Sequence, residues 1–352
     1  MLAMYVRDFD YALPGHLIAQ YPLPERDASR LLLVRREDGA VLDRQFRDLG
    51  TVLRSGDLLV LNDTTVIPAR LYGVREGGGK AEVLLIAEEA RNRWWVLAKP
   101  GRSLPVGRRL SFPEGVTAEV VDRGTEGRRL LAFDGAEDIF TLLPRIGEMP
   151  LPPYVKRGAT RHEPSQDRGI DAERYQTVYA KDAGAIAAPT AGLHFTESLL
   201  ADLERHGVEM AFLTLHVGVG TFKPVTAAQV REHRMAPERY TISEQTAAAI
   251  KRAKTEGRRV VAVGTTTTRA LEDAALTTST VRAGEGTACL FITPGHRFQV
   301  VDVLLTNFHL PRSTLFILVC AFAGRDLVLE AYAKAIQARY RFYSYGDAMV
   351  IV

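Results

Sequence analysis

Short apolar runs recur along this chain, and most of them break off at Thr, Asn, Gly or His. Residues 31–34 read LLLV, and 57–61 read DLLVL before Asn62-Asp63-Thr64-Thr65. A run over 258–263 ends in Gly264 and four threonines, and one over 300–305 ends in Thr306-Asn307-Phe308-His309. Apolar runs of this length, bounded by turn residues, predict strands buried on both faces. Other stretches space their apolar residues three to four apart, as a helix does. Leu199, Leu200 and Leu203 do so between a capping Thr196 and Gly207, and Ile250 and Ala253 between Ser243 and Gly257. Residues 270–275, 313–322 and 327–340 add further helices, and 290–293 a further strand. Residues 183–224 (AGAIAAPTAGLHF, a helix, then VEMAFLTLHVGVGTFKP) read as strand–helix–strand, with His194 and His216 at the two strand ends.

Between residues 71 and 133 the texture changes. Short β-rich runs at 81–87, 94–98, 108–112, 116–121 and 128–133 alternate with turns such as Gly77-Gly78-Gly79 and Pro113-Glu114-Gly115. The absence of a helical period predicts a small all-β barrel or sandwich. With α/β sequence on either side, it reads as a domain at 67–145 inserted into a discontinuous α/β domain formed by 1–66 and 146–352. The four prolines of 144–154 predict an extended return and exclude a helix there. Residues 156–173, polar and poor in apolar side chains, predict a surface loop.

Strand ends of one shared composition point to one pocket, because ligands of open α/β sheets sit at the carboxyl ends of the strands. Such ends occur near Asp63, 190–194, 216–221, 265–268 and 307–309. His194, His216 and His309 each occupy one, either as satisfied structural residues or as groups moving protons near neutrality. Neither an H-E-x-x-H pair nor a cysteine pair accompanies them, so no metal site is expected. Thr265, Thr266 and Arg269, at the start of a helix, suit a carboxylate or one phosphate, with plain N-capping as the alternative. Gly218 and Gly220 allow close backbone approach to a flat ligand. The closing YRFYSYGD fits a base-stacking surface or a terminal strand packed on the core.

Composition narrows the picture. Lys and Arg number 45 against 42 Asp and Glu in 352 residues, so a nucleic-acid surface must come from local clusters. The two cysteines, Cys289 and Cys320, lie in apolar runs and predict buried core thiols rather than a disulfide framework. No signal-peptide pattern opens the chain and its longest apolar run, 315–324, is too short to cross a bilayer, so a cytoplasmic protein is expected.

Taken in order, the motifs LVLNDTTVIPARL, PRIGEMPLPPYVKR, RYQTVYA, AAPTAGLHFT, LTLHVGVGTFKPV, VVAVGTTTTRALE, VDVLLTNFHLPRSTL and YRFYSYGDAM resemble the S-adenosylmethionine:tRNA ribosyltransferase-isomerases of queuosine biosynthesis, nearly end to end. The resemblance implies transfer and isomerisation of the ribosyl group of S-adenosylmethionine onto a 7-aminomethyl-7-deazaguanine at the tRNA wobble position. Epoxyqueuosine-tRNA, adenine and methionine result. It also implies an α/β fold: a larger α/β domain containing a β-barrel, with a small all-β barrel domain inserted. S-adenosylmethionine acts as co-substrate, and its sulfonium is already a leaving group, so no further cofactor is expected. The partners are that tRNA and S-adenosylmethionine, with no membrane, and a monomer rather than an obligate oligomer is expected.

Given that chemistry, His194 and His216 are the candidate bases and acids, with Asp63, Glu148 and Asp347 as carboxylates that orient them or balance the sulfonium. Thr190, Gly192, Gly220, Thr221, Thr265, Thr266, Arg269, Asn307 and His309 are candidates for binding the nucleoside and methionine parts. Lys156, Arg157, Arg161, Arg168, Arg339, Arg341 and Tyr345 are candidates for contacting tRNA. A non-catalytic RNA-binding protein and an S-adenosylmethionine-dependent tRNA methyltransferase are the competing readings. The latter lacks its glycine-rich cofactor loop here.

Overall fold

A computed structural model describes residues 4–135, 137–157, 167–218 and 225–352. The chain forms two compact units: Met1–Thr65 with Gln176–Asp182 and Ala188–Val352, and Val66–Tyr175 with Ala183–Ala187. The expected insertion at 67–145 lies within the second unit, which extends further, to Tyr175.

The first unit is built on nine strands: β1 (Arg30–Val34), β2 (Val41–Gln45), β3 (Leu58–Asn62), β4 (Glu209–Leu215), β5 (Glu238–Ile242), β6 (Val260–Val263), β7 (Gly284–Ala288), β8 (Val303–Asn307) and β9 (Ala348–Ile351). They form one mixed sheet in the order β7-β5-β4-β3-β6-β8-β9-β1-β2. Four neighbours at its centre, β4, β3, β6 and β8, run parallel. Every residue of β3, β6 and β8 is buried, as parallel strands covered on both faces require. Register keeps the two faces apart: Leu59 pairs with Val261 and Val261 with Val303. These residues share one core cluster with Leu61, Val263 and Leu305. Phe46, Phe195, Leu199 and Leu203 belong to the same cluster, so helix α1 (Glu197–Arg205) buries its leucine stripe on this face. The other helices are α2 (Glu244–Thr255), α3 (Thr265–Ala275), α4 (Thr314–Ala323) and α5 (Arg325–Gln337). Thr196, Ser243 and Ser313 cap α1, α2 and α4 through their side-chain oxygens.

The second unit carries a closed antiparallel ring. Its order is Arg70–Arg75, Lys80–Ala90, Arg93–Lys99, Arg128–Phe133, Thr117–Arg123 and Arg109–Ser111, which returns to the first strand through Val74↔Ser111 and Arg75↔Leu110. Leu71, Val83, Leu85, Val96, Leu110, Val120 and Leu131 are buried, one per pleat.

The fold is α/β with a closed small β-barrel, as expected: the described strands of the first unit form the mixed sheet, with edges at β2 and β7, and those of the second form the ring. Expectations for single elements change. The edge strand is Gly284–Ala288, not 290–293: GEGTA has no apolar period and is held by its backbone ladder to β5. A helix, Ile139–Ile146, contains Pro144, because Asp138 caps its start and the proline lies near its end, where the missing donor removes a single bond. A short helix, Arg168–Arg174, interrupts the expected loop. Thr190–His194 is a 3-10 turn rather than a strand end. Cys320 is buried as expected, but Cys289 is exposed.

Candidate active site

The four central parallel strands deliver their carboxyl ends side by side. At the end of β3, the side chain of Asn62 clasps β4: its Nδ2 donates to the carbonyl of Leu215 (3.0 Å), and its Oδ1 accepts the amides of Leu215 (3.0 Å) and Thr64 (3.2 Å). That clasp fixes Asp63 and Thr64 against His216, the first residue after β4. Thr64 Oγ1 lies 2.8 Å from His216 Nδ1. The ring is half-buried, and loss of hydration lowers its pKa below the ordinary histidine value; Arg239 adds to the shift, while Asp182 and Asp63 oppose it. Asp63 accepts from Thr214 Oγ1 at 2.7 Å, and the same hydroxyl lies 3.4 Å from Asp182 Oδ2. Burial raises the Asp63 carboxyl above its usual range, and the nearby Asp182 contributes in the same direction. Asp63 stands at one end of a cleft of about 800 Å³ that runs along β4 and α2, with Tyr179, Lys181, Phe212 and Thr214 also in its lining; His216 is not among the lining residues.

His194 is set differently. It is 4 % exposed and stacks on Phe46 at 4.9 Å between ring centroids. Its Nδ1 lies 2.7 Å from Ser29 Oγ, which in turn donates to the carbonyl of Arg26. Its Nε2 lies 3.2 Å from Asn307 Nδ2, just where β8 ends. An amide nitrogen only donates, so Nε2 is the bare nitrogen and Nδ1 carries the hydrogen. Burial, with Arg341 and Arg26 nearby, pushes the ring's pKa down to about 3. Asn307 Nδ2 also donates to the carbonyl of Tyr343 (3.1 Å), whereas Asn307 Oδ1 is buried with no partner among the described residues. His309, pushed down to about 3 by burial alone, has its Nε2 2.7 Å from Thr306 Oγ1.

After β6, Gly264 turns the chain with φ +95°, a conformation that favours glycine, and α3 begins. Thr267 and Thr268 bond back to the carbonyls of Val263 and Gly264. Arg269 is ion-paired with the buried Glu238, whose other oxygen accepts the Gly218 amide, so its charge is matched within the protein. The space beside Thr265, Thr266 and Arg269 is about 10 Å³, roughly one water. Among the described residues no three His, Cys, Asp or Glu side chains are grouped to hold a metal ion.

A family model described as queuosine biosynthesis protein matches residues 6–351. The chain belongs to the queuosine biosynthesis protein family. Relatives named S-adenosylmethionine:tRNA ribosyltransferase-isomerase include one from Citrifermentans bemidjiense, 52 % identical over 99 % of this chain and 100 % of its own. Another, from Carboxydothermus hydrogenoformans, is 50 % identical with the same coverage. The crystal structure of S-adenosylmethionine tRNA ribosyltransferase from Thermotoga maritima is similar over 98 % of this chain and 100 % of its own, with 37 % identity and a TM-score of 0.55.

In this member of the queuosine family the remaining candidates fall into distinct settings. Asp347 is 1 % exposed, and its oxygens accept the Arg30 amide (3.0 Å), the Arg30 guanidinium (3.1 and 3.2 Å) and the Arg341 amide (2.7 Å). It ties β1 to the final loop and has little capacity left to orient a histidine. Glu148 is buried in the second unit, close enough to Tyr72 to act on its hydroxyl. Thr190 and Gly192 form the turn that carries His194. Arg157 is locked to Asp171 by two bonds of 2.8 and 2.9 Å, and Arg168 donates to the carbonyls of Pro144 and Arg145. Arg341 donates to the carbonyl of Tyr21, and Tyr345 is 4 % exposed. Lys156 and Arg339 are exposed. Gly220, Thr221 and Arg161 lie outside the described residues.

The motif reading passed over Thr64, Thr214, Tyr179 and Glu238. Thr64 follows the candidate Asp63 directly and was legible. Glu238 carries no local signal, since only the sheet brings it to Arg269. No helix among the described residues is long and apolar enough to cross a membrane.

Proposed function

We propose that this chain transfers and isomerises the ribosyl group of S-adenosylmethionine onto the 7-aminomethyl-7-deazaguanine at the tRNA wobble position, giving epoxyqueuosine-tRNA, adenine and methionine. Full-length likeness to relatives of that name carries the reading. The row of strand ends bearing Asp63, His216, Thr265 and Asn307 supports it.

In this reading His216 removes the C5′ proton beside the sulfonium. Thr64 occupies Nδ1 and leaves Nε2 for the substrate, and the lowered pKa keeps the ring unprotonated at neutral pH. Asp63 balances the sulfonium and steadies the imidazolium that forms. His194 is a neutral positioning group, since both of its nitrogens are engaged. The unmet Asn307 Oδ1 accepts from the adenine amino group. The amides and hydroxyls of Thr265 and Thr266 receive the methionine carboxylate once the helix start opens around it. We take the working form to be a cytoplasmic monomer; sedimentation as a dimer at assay concentration would overturn the monomer.

Incubation with S-adenosylmethionine and precursor tRNA, followed by chromatography, tests the function. Adenine plus methionine is the expected outcome. S-adenosylhomocysteine would make the chain a methyltransferase, and tRNA binding with neither product would make it a binding protein. Among the described residues of the tRNA set, Lys156 and Arg339 are the exposed cations. Lys156→Gln and Arg339→Gln should each flatten the slope of log affinity against log salt by about 0.7, the single-strand value per phosphate. Unchanged slopes would remove these residues from the tRNA surface.

A further inference from the structure

The segment 174–180 (RYQTVYA) brings two hydroxyls to the candidate site without giving them partners. Thr177 is 5 % exposed, and neither Thr177 Oγ1 nor the buried Tyr179 Oη has a hydrogen-bond partner among the described residues. Folded proteins leave few buried hydroxyls unmet, because each loses its water without replacement. Both side chains lie against Gly192. A Cβ there would fall 2.1 Å from Tyr179 Oη and 2.8 Å from Thr177 Cγ2, so glycine is required in that turn.

Tyr179 cannot readily swing its hydroxyl away. Its ring is braced by Phe195 (6.4 Å, 71°) and Phe212 (6.0 Å, 57°). Asp63 and Arg26 both act electrostatically on the Tyr179 hydroxyl, and Arg26 also acts on His194. Tyr179 and Asp63 line the same cleft of about 800 Å³. The Tyr179 hydroxyl therefore lies within electrostatic reach of the candidate Asp63, and Thr177 lies against the turn that carries His194.

We propose that Thr177 and Tyr179 form a subsite for the vicinal hydroxyls of the ribose of the sulfonium nucleoside, an inference that rests on the ribosyl-donor reading above. Each hydroxyl is neutral and can both donate and accept, which matches a diol. Burial holds the Tyr179 hydroxyl protonated throughout the working range, so it remains a donor.

The test is binding of S-adenosylmethionine and its 2′-deoxy and 3′-deoxy analogues, by calorimetry without tRNA, to the wild type and to Tyr179→Phe and Thr177→Val. The wild type should prefer S-adenosylmethionine over at least one deoxy analogue by about tenfold, the worth of one hydrogen bond. Tyr179→Phe should bind S-adenosylmethionine about tenfold more weakly and lose that preference. Because it removes only an unmet polar atom, its ligand-free melting temperature should match or exceed the wild type's. If Tyr179→Phe fails to fold, Thr177→Val carries the same comparison.

A wild type indifferent to both deletions, or variants that discriminate as well as it does, would overturn the proposal and leave the hydroxyls holding water. Failure of the functional reading is seen separately, as no adenine released by the wild type with precursor tRNA.

Discussion

His216→Ala is expected to slow single-turnover release of adenine from S-adenosylmethionine by about a hundredfold or more, the usual loss when a general base is removed. One observation singles this histidine out from the other two: it is half-buried, where His194 and His309 are enclosed. Both nitrogens of His194 are engaged, whereas the His216 ring has one partner among the described residues, Thr64 at Nδ1. Its pKa is lowered, so the acidic limb of the rate should fall below the ordinary histidine range and the rate should be flat through neutrality. Thr64→Val should keep the base but free its ring, with a loss smaller than that of His216→Ala. His194→Gln, which retains hydrogen-bonding atoms beside Ser29 and Asn307, should stay within about tenfold of wild type. A His216→Ala enzyme within threefold of wild type would end its assignment as base, and a collapse in His194→Gln alone would move the role to His194.

Acidification from pH 7 to pH 5 is expected to cost about 4 kcal/mol of folding stability through two buried histidines. His194 and His309 each have a pKa near 3 in the fold, against 6.5 when unfolded. The unfolded chain therefore binds these protons first. The contribution is complete above about pH 6.5 and is lost as the pH falls towards 3. At pH 5 each histidine has lost about 2 kcal/mol, from 1.36 kcal/mol per pH unit over 1.5 units. His216 and His233 are shifted in the same direction and add to the loss, while Asp63, shifted upward, opposes it. Urea unfolding at the two pH values measures the total. His309→Gln should be less stable at pH 7 but should lose about 2 kcal/mol less on acidification. An unchanged pH dependence in that variant would show that His309 protonates as readily in the fold as outside it.

Both expectations concern histidines that one apolar-run-then-polar signal picked out together. The signal was informative for His216 and His309, which follow β4 and β8, because strand ends are written locally in the chain. It misread the setting of His194, whose residues 190–194 form a 3-10 turn. Small residues (AAPTAG) leave the backbone choice to what packs around it. The edge strand Gly284–Ala288 escaped for a related reason, since its partners are backbone groups of β5 and its side chains carry no period.

The sequence by itself determined the alternation of buried strands and capped helices, the all-β texture near 71–133, the polar strand ends and, through its motifs, the family. Each is a property of neighbouring residues: spacing of apolar side chains, a capping oxygen, a glycine turn, a continuous string of letters. Only the tertiary structure decided which strands lie side by side, and so which polar ends share a place. It matched Arg269 to Glu238 and Asp347 to Arg30, two ion pairs between residues far apart in the chain. It also left Asn307, Thr177 and Tyr179 with buried polar atoms unmet. Charge compensation and desolvation depend on what arrives from distant parts of the chain. No local pattern of residues could therefore say which histidine remains accessible and which is sealed in the core.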